Sequence, residues 1–361
     1  MLIFLIVLVC CVVVCEIVSQ QSALKRVGYT CKPTSSVVEP GEEFELVTTL
    51  TNGKWLPVSY LGVVQSLPND IQLNAYLGRF SSEPTVARLY SSCFLMPKQR
   101  LERRIKATLP QRGRHFILDA TLTAGDLLGL STRTEEVHLF YEIVVLPGRV
   151  DAPDLSRALG GFLGDVSVRR FILEDPVLTI GTREYTGHEP MKTISWKHSA
   201  RSGQLMVKKF DYTVENSVTV LLNVDGNTDY DTLERCFSLA RMVVEQLETR
   251  GLQYGFLTNA ATAGALGRWS EVAEGLGGGH TRTILEGLGR ATHDVQEPFE
   301  NLLQRAVRRS ERGRAHIIVT PGRMAEDDPL LARLREQSDG RIFLLSAEEL
   351  AEEQAEGRAA S

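Results

Sequence analysis

The spacing of apolar residues differs between two long parts of this 361-residue chain, and that difference limits the folds that it can adopt. Between residues 28 and 148, apolar side chains tend to recur at every second position, as at Phe44 and Leu46. Between residues 217 and 350, short apolar runs alternate with stretches in which apolar residues recur every three or four positions. The first spacing is typical of half-buried strands and the second of strands alternating with helices. The sequence therefore predicts two domains of different class.

The first of these domains reads as a β-sandwich. Turn-forming pairs, Pro40-Gly41 and Asn52-Gly53, separate its alternating segments. The predicted strands cover residues 44–50, 116–122 and 141–145. Because no amphipathic helical stretch of comparable strength intervenes, we expect a small immunoglobulin-like sandwich over residues 28–148.

The second domain reads as an α/β fold. The apolar run 218–224 ends in Asp225, as expected of a buried parallel strand. In the next stretch apolar residues recur every three or four positions, which predicts a helix with one apolar face, and Gly251 is placed to end that helix. Strands at 252–257, 316–320 and 341–345 then alternate with helices at 281–290, 298–309 and 329–337. This order predicts a doubly wound parallel sheet.

The first 18 residues form a nearly continuous apolar segment, interrupted by Glu16. As a helix it would be about 27 Å long, against a hydrocarbon core of about 30 Å, so it can span a membrane. A cleaved signal peptide is the alternative, but no Lys or Arg precedes the run. Lys25 and Arg26 follow it, and this positive charge predicts a single-pass protein of the cell membrane with cytoplasmic C-terminal domains.

The net charge and the spacing of the cysteines argue against other classes of protein. The net charge of -5 and the pI near 5.9 argue against a nucleic-acid surface, which needs a concentrated basic field. Three of the six cysteines lie in the apolar segment, and Cys31, Cys93 and Cys236 have no pairing or metal-ligand spacing. We interpret them as structural thiols.

The segment 181–201 carries a recognisable motif between the two domains. It contains Arg-Glu-Tyr at 183–185 and Trp-Lys-His-Ser-Ala-Arg at 196–201. These residues, with Ile194, resemble the signature of a widespread bacterial family, the domain of unknown function 58. His188, Glu189, Lys192 and Ser195 replace the Gly, Asp, Arg and Asp of that pattern. Arg112-Gly113 and the segment 126–130 resemble two further elements of the family.

The resemblance implies an architecture and a partner. Similar proteins are often encoded beside MoxR-type AAA+ ATPases, which makes such an ATPase the expected partner. Within the connecting region 149–216, the motif has two possible roles, which are an interdomain clasp with buried aromatic rings or a docking surface for a partner. The motif residues with these roles are Arg183, Glu184, Tyr185, Glu189, Trp196, Ser199 and Arg201.

The loop Asp225-Gly-Asn-Thr-Asp229, which follows an apolar strand, is similar to the metal loop of von Willebrand factor A-type domains. This resemblance implies that Asp225, Asn227 and Asp229 would hold Mg²⁺, with Thr281 or Thr283 as a further ligand. Pro321 stands where that fold places another Asp. The other reading is that these carboxylates cap the next helix or loop, without any cofactor.

No common catalytic motif is present: the sequence lacks a phosphate-binding Gly-x-x-x-x-Gly-Lys loop, a Gly-x-Ser-x-Gly elbow and a His-Glu-x-x-His pair. We therefore expect a membrane-anchored interaction or adaptor protein rather than an enzyme. A metal-dependent ligand-binding module is the main alternative, and a hydrolase using Asp225 and Asp229 is a further one. A polar tail is expected over residues 351–361.

The predicted topology can be tested with protease added to intact cells. If Lys25 and Arg26 hold the following chain on the cytoplasmic side, the C-terminal domains stay uncut until the membrane is permeabilised. An immunoblot against the C-terminus reads the result. Cleavage in intact cells would reverse the predicted orientation.

Overall fold

A computed structural model describes residues 17, 21–74, 79–82, 84–125, 131–168, 175–211, 217–262, 270–310, 314–324 and 328–360. The chain forms two compact units. The first comprises residues 1–148 together with 288–290, and the second comprises residues 149–287 and 291–361.

The first unit is built of strands. They are β1 (Val27–Pro33), β2 (Val37–Val38), β3 (Phe44–Asn52), β4 (Val58–Leu67), β5 (Gln72–Asn74), β6 (Arg79–Ser82), β7 (Ala87–Leu95), β8 (Arg100–Thr108), β9 (Gly113–Ile117), β10 (Ala120–Gly125), β11 (Thr132–Val137) and β12 (Tyr141–Val145). They form sheets in the orders β1-β3-β8-β5, β11-β10-β4-β7-β6 and β2-β12-β9.

The two larger sheets share one core, which makes this unit a β-sandwich. Leu46 and Leu50 of β3 belong to the same buried cluster as Leu61 and Val63 of β4. Because side chains alternate between the faces of a strand, the intervening residues point away from the core. The alternation read from the sequence therefore reports the buried faces of a sandwich.

The prediction of one continuous strand over residues 116–122 is wrong. β9 ends at Ile117 and β10 begins at Ala120, and the two strands belong to different sheets. Leu118 is 39% exposed in the turn between them, and Asp119 accepts a hydrogen bond from the Leu139 amide. The alternation continues in sequence across a turn that changes sheets, so periodicity alone does not reveal the break.

The second unit mixes strands and helices. Its strands are β13 (Asp175–Glu184), β14 (Met206–Asp211), β15 (Ser217–Leu222), β16 (Gln253–Thr258), β17 (Ala260–Thr262), β18 (Glu271–Gly275), β19 (Ala291–Val295), β20 (Ala315–Thr320) and β21 (Ile342–Ser346). Its helices are α1 (Pro153–Val168), α2 (Trp196–Ser202), α3 (Tyr230–Thr249), α4 (Gly278–Arg290), α5 (Phe299–Arg309), α6 (Pro329–Gln337) and α7 (Ala347–Ala360), with a 3₁₀ turn at Met191–Thr193.

A five-stranded sheet in the order β18-β16-β15-β20-β21 is the centre of the second unit. β15 pairs in parallel with β16 and β20, and β21 pairs in parallel with β20, whereas β18 is antiparallel. Leu221 packs on one face with residues of α5 and α6, while α3 contacts the sheet through β15, β16 and β20. Val220 and Leu222, which alternate with Leu221, are fully buried, so both faces are covered. The sheet is wound on both sides.

Helix ends in this unit follow ordinary capping chemistry. Gly251, with a φ of 65°, follows the last turn of α3 as predicted. At the start of α7, the Ser346 hydroxyl accepts from the Glu349 amide and the Glu349 carboxylate accepts from the Ser346 amide. Residues 351–360, expected to form a polar tail, belong to this helix. Gly277 is the N-cap of α4, which begins with Gly278 and Gly279.

Several predictions fall on residues outside the described part of the chain. The predicted membrane span 1–18 lies there apart from Ile17, and so does the family-like element 126–130. Within the described residues, no helix has the length and apolar character needed to cross a bilayer. Cys31 and Cys236 are buried as free thiols, and burial raises the pKa of Cys31 to about 11, as expected of structural cysteines.

Candidate functional site

A cleft of about 430 Å³ opens at the carboxyl ends of β15 and β20. The chain leaves the sheet in opposite directions from these two neighbouring strands, toward β16 and toward β21. Open α/β sheets bind ligands at such a point of reversal. We call this site the acidic cleft; its lining is Asn223, Asp225, Thr228, Asp229, Thr232, Phe299, Thr320, Pro321, Gly322, Arg323, Met324, Asp328 and Glu348.

Asn259, which directly follows β16, holds the loop that enters the cleft. Its side-chain oxygen accepts a hydrogen bond from the Val224 amide at 2.7 Å. Its side-chain nitrogen donates to the Val224 carbonyl at 2.9 Å and to Asn223 Oδ1 at 3.0 Å. Asn259 is 1% exposed, so water does not compete for these groups. One side chain thus fixes the backbone immediately before Asp225.

The neighbouring residue Thr258 adds a second tie between the strand ends. Its hydroxyl donates to the Leu222 carbonyl at 2.9 Å and accepts from the Ala260 amide at 3.1 Å. On the other side, the Asn223 amide donates to the Val319 carbonyl at 2.8 Å. The ends of β15, β16 and β20 are therefore held in fixed register around the cleft.

Helices α3, α6 and α7 all begin beside the cleft, and carboxylates meet their amino ends. Asp229 accepts from the Thr232 amide at 3.0 Å and caps α3. Asp328 accepts from the amides of Leu330 and Leu331 and caps α6. Negative side chains are stabilised by the unpaired N–H groups and dipoles at these ends. The backbone hydrogen bond from Thr232 accordingly lowers the pKa of Asp229.

The balance of charge in the cleft is acidic. Among its described lining residues, four carry carboxylates, which are Asp225, Asp229, Asp328 and Glu348, against the guanidinium of Arg323. Arg323 is paired with a carboxylate that is not among these lining residues, because its Nη2 lies 2.6 Å from Glu352 Oε2. The cleft can therefore accept hydrogen bonds from a cationic group.

The structure shows both carboxylates of the proposed metal loop in hydrogen bonds to the backbone. Asp225 Oδ1 accepts from the Asn227 amide at 3.1 Å, and Asp229 caps α3. In the described part of the chain, no three His, Cys, Asp or Glu side chains are grouped to hold a metal ion. Neither proposed loop threonine joins Asp225: Thr283 donates to the Gly279 carbonyl within α4, and Thr281 bonds Tyr254 at the opposite, amino-terminal end of β16. Thr228 and Thr320 line the cleft instead.

The family-like motif forms a folded excursion between the paired strands β13 and β14. Glu189 organises its first half: it lies 2.5 Å from Arg183 Nη1 and accepts from the hydroxyl and amide of Thr186 at 2.7 and 3.0 Å. These hydrogen bonds, the Thr186 hydroxyl foremost, lower the pKa of Glu189 to about 2. Glu189 therefore stays ionised at neutral pH and keeps this turn closed.

Ser199 organises the second half of the motif. Its hydroxyl donates to the Ser195 carbonyl at 2.9 Å and accepts from the Met206 amide at 2.8 Å, which ties α2 to β14. The Ser195 hydroxyl lies 3.0 Å from His198 Nδ1. Both serines thus have structural partners within the motif.

Trp196, one of the two aromatic residues of the motif, is exposed. The clasp hypothesis concerns buried rings, and the Trp196 side chain is 62% exposed. Met191 and Leu205 are also exposed, at 71% and 46%. Glu184 and Arg201 lie on the surface, and Tyr185 is half-buried. An exposed apolar surface of this kind fits the docking alternative better.

Sequence reasoning missed Asn259, on which the shape of the cleft depends. The available signal was a polar residue directly after a buried strand, at the edge where parallel strands end. The strand predicted over residues 252–257 ends at Thr258, and Asn259 is the first residue beyond it.

Comparison with known proteins shows sequence similarity to an uncharacterised bacterial protein. No protein-family model matches the sequence. The uncharacterized protein YeaD of Bacillus subtilis is 22% identical over 312 residues, covering 86% of this chain and 73% of that protein. Among solved structures, a cohesin of Archaeoglobus fulgidus (13% identical, TM-score 0.24, 91% of its length) and a cohesin module from Clostridium perfringens (15%, 0.26, 96%) each match 33% of this chain. Scores this low carry no argument about function.

The role of Asn259 can be tested by Asn259→Ala. The substitution leaves the buried N–H and C=O of Val224 without their partner, so we expect a loss of about 2 kcal/mol in the free energy of unfolding. Asn227→Ala, at an exposed position of the next loop, is the control and should change it by less than about 0.5 kcal/mol. Urea unfolding of the full chain in detergent measures both. Equal effects would show that Asn259 does not hold the loop.

A second pair of variants tests the motif. Since the Trp196 ring is exposed, Trp196→Ala should change the free energy of unfolding by less than about 0.5 kcal/mol. Ile194→Ala removes a side chain that is 6% exposed in the same motif and should cost about 2 to 5 kcal/mol. The same unfolding experiment measures both variants. If Trp196→Ala lowers the free energy of unfolding as much as Ile194→Ala does, the result would support the clasp hypothesis.

Proposed function

We propose that the protein is a membrane-anchored adaptor whose acidic cleft receives a basic segment of a partner, a MoxR-type AAA+ ATPase. The observation that carries this proposal is the cleft itself, which combines a point of strand reversal with four carboxylates. Carboxylates that are fixed by backbone hydrogen bonds present negative charge without having to reorganise on binding.

The chemistry of the lining favours binding over turnover. Among the described residues of the cleft there is no Cys, His or Lys, and its hydroxyl groups come from Thr228, Thr232 and Thr320. The Thr320 hydroxyl donates to the Gly322 carbonyl at 2.7 Å rather than to a base. A nucleophile needs a base within hydrogen-bond reach, and this arrangement offers none to Thr320.

The architecture supports a von Willebrand A-type adaptor related to the family of the motif. A sheet wound on both sides carries Asp225 just after its central strand, as the sequence resemblance implies. The Asp225–Asp229 loop and the surface of Trp196 belong to the same compact unit. We propose that both contact the ATPase, with the loop supplying charge and the motif supplying apolar area.

Asp225 is the residue at which to test the cleft. Asp229→Lys would also remove the cap of α3, so loss of binding would be ambiguous. Asp225→Lys places a positive charge at an exposed position after β15 and should weaken binding of purified ATPase at least tenfold by repelling its basic segment. Calorimetry with the full chain in nanodiscs gives the affinity.

The matched control is Asp165→Lys, which makes the same charge change at an exposed position of α1. It should leave the affinity unchanged. Equal affinities for the two variants would place the ATPase elsewhere, and no binding by the unmodified chain would reject the proposed partner. Binding that appears only with Mg²⁺ would support the metal-dependent alternative.

A further inference from the structure

One end of the sandwich differs from the rest of its surface. β1 and β4 begin there, β3 and β7 end there, and β8 and β11 begin beside them. The Gly53 amide donates to the Arg26 carbonyl, and the Lys98 amide donates to the Lys54 carbonyl, so the connecting segments touch. We call this end the basic end; its described segments are 21–26, 52–58, 94–100 and 131–133.

Large apolar side chains project from the basic end. Trp55 is 80% exposed, Phe94 64% and Met96 56%. Trp55 and Met96 lie in neighbouring loops, because the Asn52 side chain donates to the carbonyls of both Leu56 and Met96. Phe94 precedes Met96 by two residues, at the end of β7, and we call these three side chains the apolar patch. Exposed aromatic and apolar residues at a loop tip are costly in water unless a partner covers them.

The charge of the same segments has one sign. Their described residues include six cations, Lys25, Arg26, Lys54, Lys98, Arg100 and Arg133, and no carboxylate. The turns at the opposite end instead carry several carboxylates, which are Glu39, Glu42, Glu43, Asp70 and Asp119. Lys98 Nζ lies 5.4 Å from the Trp55 ring, so cation and aromatic share one surface.

The chain arrives from the apolar segment 1–18 at this end. Lys54 Nζ donates to the carbonyls of Ser22 and Ala23 at 2.6 and 2.5 Å, and Arg133 donates to the Gln21 carbonyl at 3.2 Å. Five residues separate Val18 from Leu24, which is buried in the core of the sandwich. The segment with membrane-spanning composition is thus attached at the face that carries the aromatic and cationic residues.

We propose that the basic end of the sandwich lies on the bilayer, with Trp55, Phe94 and Met96 in the headgroup region and the cations against anionic lipid. The proposal rests on the membrane anchor of the proposed function. Aromatic rings with flanking Lys and Arg are what the membrane interface favours, and the cytoplasmic leaflet supplies the negative charge. The opposite end, about 33 Å away along the ten residues of β4, stays in water.

Fluorescence quenching tests this arrangement with the full chain in nanodiscs of phosphatidylcholine and phosphatidylglycerol that carry bromine on their acyl chains. A variant with Trp196→Phe and Trp269→Phe retains Trp55 as its one tryptophan. Trp55 should lose about half or more of its emission, since an interfacial side chain sits some 5 to 10 Å deep, at the boundary of the acyl chains.

The matched control moves the probe to the opposite end of the sandwich. It lacks all three native tryptophans and carries Phe140→Trp, where the native ring is 69% exposed. Its emission should be nearly unquenched. Adding Lys25→Gln, Arg26→Gln and Lys98→Gln to the Trp55 variant should reduce the quenching by weakening attraction to anionic lipid.

Equal quenching of Trp55 and of the control would overturn the proposal. So would Trp55 emission that is blue-shifted but unquenched, which would mean that protein, such as a second copy, covers the patch. Failure of the chain to migrate with the nanodiscs would instead reject the anchor.

Amide hydrogen exchange tests the same arrangement on the chain without substitutions. The amides of residues 53–57 should exchange more slowly in anionic than in neutral nanodiscs, and equal rates would contradict the proposal.

Discussion

The α/β unit depends on the pairing of backbone polar groups at the buried exits of its parallel strands. Backbone N–H and C=O groups just beyond the end of a strand no longer pair with the neighbouring strand, and where they are buried they do not contact water either. Without another partner, each costs free energy comparable to a lost hydrogen bond. Asn259 supplies these partners to Val224, and Thr258 supplies them to Leu222 and Ala260. Asn259 and Thr258 thus form the hydrogen bonds of these buried backbone groups, and the Asp225–Asp229 loop faces solvent. The acidic cleft follows from this arrangement.

The two units carry different surface chemistry, which fits different roles. The sandwich concentrates cations and aromatic rings at one end, where the apolar segment joins it. The α/β unit concentrates carboxylates at the amino ends of its helices. The first pattern suits an anionic lipid surface and the second suits a basic protein segment. We infer that attachment and recognition are separate tasks of separate domains.

The sequence predicted elements whose buried faces require apolar residues at a regular spacing. It did not predict features that depend on hydrogen bonds between polar groups. The apolar stripe of α3 and the run that became β15 were predictable because buried faces need apolar side chains at fixed spacing. The break at Leu118 and Asp119 was not, because alternation continues through a turn that changes sheets. Asp229 was read as a ligand or a cap from its position, and geometry was needed to show that it accepts from Thr232. The sequence left two roles open for Trp196, a buried ring of a clasp or an exposed ring of a docking surface, because the local pattern does not show which groups lie over the ring.

We propose that the acidic cleft is where a MoxR-type ATPase binds. A photo-crosslinking amino acid at Thr228, which lines the cleft, tests this claim most directly in cells that produce the full chain. Mass spectrometry of the crosslinked product identifies the partner. The account predicts a crosslink to the ATPase from Thr228 that is absent when the probe replaces Asp165 on α1. The same products from both positions, or none that contains an ATPase, would contradict it.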